Sequence, residues 1–404
     1  MRAATTGGFV LGLAMAAVGA MAAVGRLADA QPQGGADVPR LVLDRALRET
    51  RGRVVSLTPD ALTLRDDAGR VRTIPRADVL ALLPERAAGP TGAVSASFEP
   101  RMRLADGQTL PGTISAGGAP EGESLRWEST LLGSVRVTLE DVAVLELGEL
   151  PGGAPVRAGT ADVVRLRNGD SVEGFVAAVG SVVRVERDAG AVDVPLERVA
   201  MIAFANPEAS PAGVALWLHN GSVVSAGSVS IADGMLDFEA TLTSGDVRVS
   251  VPDVRAALFD PGAVRGLSGL AWTAQGVGAR RWTPPPVIGD TARAPLFAAD
   301  VELPGPMQVT FELPAGATML ACEAELPASS RVWGDCELIM DVGGREVSRT
   351  RLHAERPKAD LRVEFGGAVP AGSRLRVTVA PGNRGAVQDR VILRRPLVLL
   401  GGGR

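Results

Sequence analysis

The segment SSRVWGDC sets an indole, Trp333, in a polar, glycine-bearing stretch, with Asp335 two positions on. Further along, PGNRGAVQD carries Asn383, Arg384 and Asp389. An aromatic face beside amide, guanidinium and carboxylate groups is the set that grips a polyol ring. The indole takes the C–H side, and the polar groups take the hydroxyls. Trp272 and Trp282 are further indoles in a Pro/Gly-punctuated stretch. One stack with a few hydrogen bonds supports an affinity of about 1 mM, near −4 kcal/mol.

Catalytic constellations are absent from the sequence. The chain has 2 histidines, His219 and His353, far apart in sequence, so neither a metal pair nor a partnered general base is available. There is no G-x-S-x-G and no phosphate-cradling glycine loop. Asp170, Glu173, Glu197 and Asp253 sit on turns and alternating strand positions, where solvated charge is the ordinary reading. The expectation is a protein that is not an enzyme and binds no cofactor or metal. The 2 cysteines, Cys322 and Cys336, each lie in a strand-like run, MLACEAEL and CELIMDV. If those strands are neighbours, a disulfide closes a short loop and stabilises the domain by about 3 kcal/mol. The alternative is a pair of reduced, buried thiols.

The positioning elements begin after an apolar leader. Arg2 precedes an uncharged run from Gly7 to Gly25, and Ala28-Asp29-Ala30 fits the small-x-small cleavage rule. Residues 1–30 therefore read as an export signal, placing the rest in the periplasm or outside the cell. A retained membrane anchor is the rival. Residues 31–48 read as a linker or a short helix. A net charge of −4 offers no basic field for nucleic acid, and no later segment is apolar enough to span a membrane. Candidate partners are carbohydrate and envelope proteins.

Residues 49–265 repeat a phrase: RLADGQTLPG, RLRNGDSVEG and LHNGSVVSAG, each an Asn-Gly or Asp-Gly turn between alternating apolar residues. Each unit closes with a tight helical turn and an apolar strand, as in Pro195-Leu-Glu-Arg-Val199 before Met201 to Phe204. A first copy lacks the turn but keeps Pro75-Arg-Ala-Asp-Val79 before Leu80 to Leu83. Four copies of about 50–60 residues make an array of small antiparallel units whose neighbours stack or pair. The phrase also resembles the strand pair of Sm-like small barrels.

Residues 266–290 read as a linker. From 291 to 404 the strands lengthen, beginning with Leu296 to Leu303, and turns fall at sandwich spacing. Here VTFELPAGATMLACEAEL, CELIMDVGGREV and RLRVTVAPGNRGAVQDRVIL follow in order. This region resembles the novel putative carbohydrate-binding module family, NPCBM, a jelly-roll domain common in secreted bacterial proteins. It departs where the family places a tryptophan shortly after its aspartate, since Asp389 is followed by Arg390-Val-Ile-Leu. The fold expected is all-β: four small antiparallel repeats, then a jelly-roll-like β-sandwich. The resemblance implies a weak glycan grip through Trp333, Asp335, Asn383, Arg384 and Asp389. An envelope scaffold with no sugar binding is the alternative.

Overall fold

The computed structural model describes residues 39–84, 98–115, 123–150, 159–209, 211–243, 245–276, 283–291 and 294–401. The expected export signal and Trp282 lie outside these residues. No helix among them is long and apolar enough to cross a membrane. The protein is all-β.

Four five-stranded units span Pro39–Pro84, Arg101–Glu146, Asp162–Ala203 and Val214–Leu258. In each, the last strand returns to pair with the first, with a bulge in that pairing. A bulge sharpens the twist and curls a short sheet over its own apolar face. A 3-10 turn precedes every closing strand, at Arg76–Asp78, Leu139–Asp141, Leu196–Arg198 and Val251–Asp253. These fall where the sequence placed them.

The first unit begins at Pro39, inside the segment read as a linker or helix. Its hairpin was hidden because a leucine holds the glycine's place. Gly107, Gly169 and Gly221 have φ of 88°, 93° and 85°, and Leu47 stands at 55°. The amide of each donates three residues back, to Leu104, Leu166, Leu218 and Asp44. The Asp44 carboxylate accepts the N–H groups of Ala46 and Arg48, replacing the missing turn signal. A left-handed leucine costs about 1–2 kcal/mol, but Leu47 is buried in an apolar cluster that also holds Met319 and Leu397 of the C-terminal domain. Burial of that side chain contributes about 1.5–3 kcal/mol. Leu47→Gly should therefore destabilise by only about 1 kcal/mol, read by urea unfolding of the whole chain. A loss as large as that of a core Leu→Ala change would refute the compensation.

The units do not form a linear array. The closing strand Val142–Glu146 pairs with Val199–Ala203, joining the second unit to the third. The closing strand Val79–Pro84 pairs with Val254–Leu258, joining the first to the fourth. Single bridges then tie the fourth unit to the first (Ile231 with Leu57) and to the second (Val223 with Thr109). The closing strands read as near-continuous apolar runs, VLALLP and VAMIA, because both of their faces are covered.

The C-terminal domain is a sandwich of six- and five-stranded antiparallel sheets. The six-stranded sheet runs Val287–Ile288, Val301–Pro304, Arg390–Leu400, Ala317–Glu325, Lys358–Glu364, with Val264–Gly266 also on the long strand. The other runs Trp272–Gly276, Met307–Glu312, Arg374–Pro381, Asp335–Val342, Arg345–His353. Phe311, Leu320, Leu338, Val377 and Leu393 fill the space between. Residues 266–290 are thus not a plain linker: three of these strands border or lie within them. Pro and Gly there mark edge strands, which tolerate missing ladder bonds. The stretch 296–303 is not one strand either, because Pro295–Phe297 forms a 3-10 turn with Leu296 at φ 60°.

That turn belongs to the joint. Leu41, Leu43, Leu47, Trp217 and Leu258 form one apolar cluster with Leu296, Met319 and Leu397. The outer face of the six-stranded sheet is therefore covered by the first and fourth units.

Cys322 and Cys336 are not joined, and both thiols are free. Their strands belong to different sheets, so the expected neighbour pairing does not exist. Burial, then the nearby Asp360 and Glu323, pushes the Cys322 thiol up to about 12. Burial, then Asp389 and Asp335, does the same for Cys336. Both should resist alkylation in the native protein and take up two labels on denaturation without reductant, measured by intact mass. A denatured, unreduced chain with no label would overturn this.

Candidate functional site

One end of the sandwich gathers the loops 327–334 and 381–390. Trp333 is 59% exposed and Val332 65%, two large apolar side chains on a short loop. The loop is held at both ends. Ser330 donates its amide to the Pro327 carbonyl, and Gly334 donates to that of Ser330 at 2.7 Å. Arg331 bonds the Leu326 carbonyl through Nε and the Glu325 carboxylate through Nη2 at 2.9 Å. A Cβ at Gly334 would sit 2.5 Å from the Ser330 carbonyl oxygen, so only glycine lets the loop turn back this tightly.

Asp335 and Asp389 do not face solvent, being 2% and 3% exposed. The expectation of ligand contact is corrected for Asp335, which fastens the loops that carry the exposed groups; Asp389 helps fasten them and also lines the adjoining groove. Asp335 receives Arg351 through both oxygens at 2.8 Å, and the Arg384 amide donates to Oδ2 at 3.3 Å. Asp389 Oδ1 accepts the Asp335 amide at 3.2 Å. A Cβ at Gly382 would lie 2.5 Å from the Asp335 carbonyl oxygen, so the two loops are pressed together. The Arg351 hydrogen bond, partly opposed by burial, holds the Asp335 carboxyl below the usual range.

Asn383 and Arg384 are exposed on the second loop. Arg384 Nη1 donates to the Val332 carbonyl at 3.3 Å, which sets the guanidinium beside the Trp333 loop. Val387, 44% exposed, lies on the same loop as Arg384. An open groove of about 430 Å³ adjoins, its lining including Thr283, Ser329, Ser330, Gln388, Asp389 and Arg390. The Ser330 carbonyl accepts the Gly334 amide, and a Cβ at Gly334 would lie 3.2 Å from the Gln388 carbonyl oxygen, so groove and Trp333 loop adjoin. The sequence reading missed Val332, Val387 and the groove. The available signal was the pair of valines placed in otherwise polar loops.

Trp272 is 40% exposed on the edge strand Trp272–Gly276, away from these two loops in the pairing order. Among the described residues, no group of three His, Cys, Asp or Glu side chains could hold a metal ion. What the site can do chemically is stack a ring on the indole and meet its polar substituents with an amide, a guanidinium and hydroxyl groups.

Fold and site together define an all-β protein with a sandwich that presents an aromatic platform on its end loops. No protein-family model matches the chain. No curated protein matches it either. Among solved structures it is similar to the CBM51 module of Clostridium perfringens GH95 in complex with methyl-galactose. Identity there is 9% and the TM-score 0.26, covering 34% of this chain and 99% of that chain. The tandem CBM51 modules of Sp3GH98, a family 98 glycoside hydrolase from Streptococcus pneumoniae SP3-BS71, match at 10% identity and a TM-score of 0.26. That match covers 89% of this chain and 88% of that chain. The CBM51-2 and INT domains of Clostridium perfringens ZmpB match at 11% identity and a TM-score of 0.27, covering 46% of this chain. The chain spans 43% of that structure's length.

Proposed function

We propose that this is an exported, non-enzymatic protein that holds glycans weakly at the cell envelope or outside the cell. The reading rests on Trp333, an indole 59% exposed on a loop fixed at both ends. Exposing so large an apolar face on a pinned loop serves binding, because a pinned ring loses little freedom when a ligand stacks on it. The neighbouring Asn383, Arg384 and the hydroxyl-lined groove supply partners for ring substituents. The test is a glycan array with the full chain and its Trp333→Ala variant. The wild type should retain glycan at about millimolar affinity. The variant should lose retention while its melting temperature stays within a few degrees. Wild-type protein that retains nothing would sink the proposal.

A second reading, an envelope scaffold without sugar binding, draws on the apolar trio Val332, Trp333 and Val387, which suits a protein surface too. Loss of an envelope-protein partner in Trp333→Ala, with an empty array, would favour it. Export itself predicts that the mature chain starts at Gln31. N-terminal sequencing of protein recovered outside the cytoplasm should read QPQGG, and a start at Met1 would refute cleavage.

A further inference from the structure

We infer that the ligand ring stacked on Trp333 carries an anionic group, a carboxylate or a sulfate, and that Arg384 pairs with it. The inference rests on the glycan-binding reading and narrows it to acidic sugars.

The argument starts from what the arginines at this end of the sandwich already hold. Arg331 pairs with Glu325, Arg351 with Asp335, and Arg390 with Glu302. Arg384 differs. Its Nη1 meets the Val332 carbonyl, and among the described residues its guanidinium meets no carboxylate. Its backbone is meanwhile anchored, through the amide on Asp335 Oδ2. The residue is thus an exposed, positioned cation held against the Val332 carbonyl, one peptide from Trp333.

The surroundings do not neutralise it. Loop 327–334 contains no acid, and the only acid in 381–390 is Asp389, which is buried. On the neighbouring turn between the strands Arg345–His353 and Lys358–Glu364, Glu355 is followed by Arg356. With Arg331, Arg351 and Arg390 matched by Glu325, Asp335 and Glu302, Arg384 is left as a cation beside the Trp333 loop that meets no carboxylate among the described residues. A hydroxyl needs no such cation, whereas a planar fork of N–H donors matches a carboxylate or sulfate through two bonds.

The experiment uses the full chain in affinity electrophoresis against three soluble polysaccharides: polygalacturonate, λ-carrageenan and a neutral galactan. Retention by polygalacturonate identifies a carboxylate, and retention by carrageenan a sulfate. Arg384→Gln should weaken the anionic interaction by about fivefold to tenfold, and Arg384→Lys by less, because an ammonium keeps the charge but not the fork. Added salt should weaken the wild type and leave Arg384→Gln nearly unchanged. Equal retention on galactan and on both anionic polymers, with Arg384→Gln indistinguishable from wild type, overturns the inference and leaves glycan binding standing. No retention on any of the three, together with an empty glycan array, removes the glycan reading and this inference with it.

Discussion

Trp217→Ala should lower the unfolding free energy of the whole chain by about 3–5 kcal/mol, the largest loss expected from any single truncation at the joint. The indole is 2% exposed on the first strand of the fourth unit. It meets Phe297 edge-on, with centroids 4.9 Å apart and planes at 69°. Phe297 belongs to the 3-10 turn leading into the sandwich, so the ring pair spans the two halves of the molecule. Removing the indole leaves a cavity lined by backbone-anchored strands that cannot collapse into it. Trp217→Phe should cost much less. It keeps the ring contact and removes Nε1, a buried donor with no hydrogen-bond partner among the described residues. Urea unfolding measures both. An alanine variant within about 1 kcal/mol of wild type would show that the joint contributes little.

Asp335→Ala should loosen the candidate site and weaken ligand retention by about tenfold, close to the effect of removing the indole. The carboxylate is the common acceptor for Arg351 and for the amide that places Arg384. Its loss removes the side-chain part of the fastening and leaves only the backbone bonds of Asp335 to Asp389 and Gly382, so the melting temperature should also fall by a few degrees. Asp335→Asn isolates the charge and gives the pH test. In the folded protein the carboxyl is held below its ordinary value, chiefly by the Arg351 hydrogen bond. Its stabilisation is therefore complete above the unfolded value of about 3.9 and disappears as pH falls through the lower folded value. Below about pH 4 the wild type should lose stability more steeply than Asp335→Asn. Parallel acid limbs would mean that the carboxylate is not the fastening described.

How much of this was legible depended on whether a residue's role was local. The closing turns are written in short-range chemistry, so Pro195-Leu-Glu-Arg and Val251-Pro-Asp could be read directly. The turn at Leu47 could not, because its left-handed backbone is sustained by burial against residues some three hundred positions away. Trp333 was legible as an indole in a polar loop. Asp335 and Asp389 looked like exposed acids for the same reason, and only the fold reveals that Arg351 and a facing amide draw them inward. The cysteine pairing failed because two consecutive strands were assigned to one sheet, whereas the chain crosses to the other between them.

The pairing of first unit with fourth, and second with third, is arranged like brackets within brackets. In a solenoid each repeat leans on its neighbours in sequence, so copies can be gained or lost singly. Here loss of any one unit strands the closing strand of a partner, so repeat number is locked in pairs. The order of assembly is locked as well. The inner pair can close as soon as residues 199–203 exist, whereas Leu82 must wait 175 positions for Ala257 (257 − 82). The sandwich then docks on a surface that exists only once the outer pair has formed. Inheritance and synthesis thus meet the same constraint, in which the outermost copies of the repeat are the last to be completed and the hardest to delete.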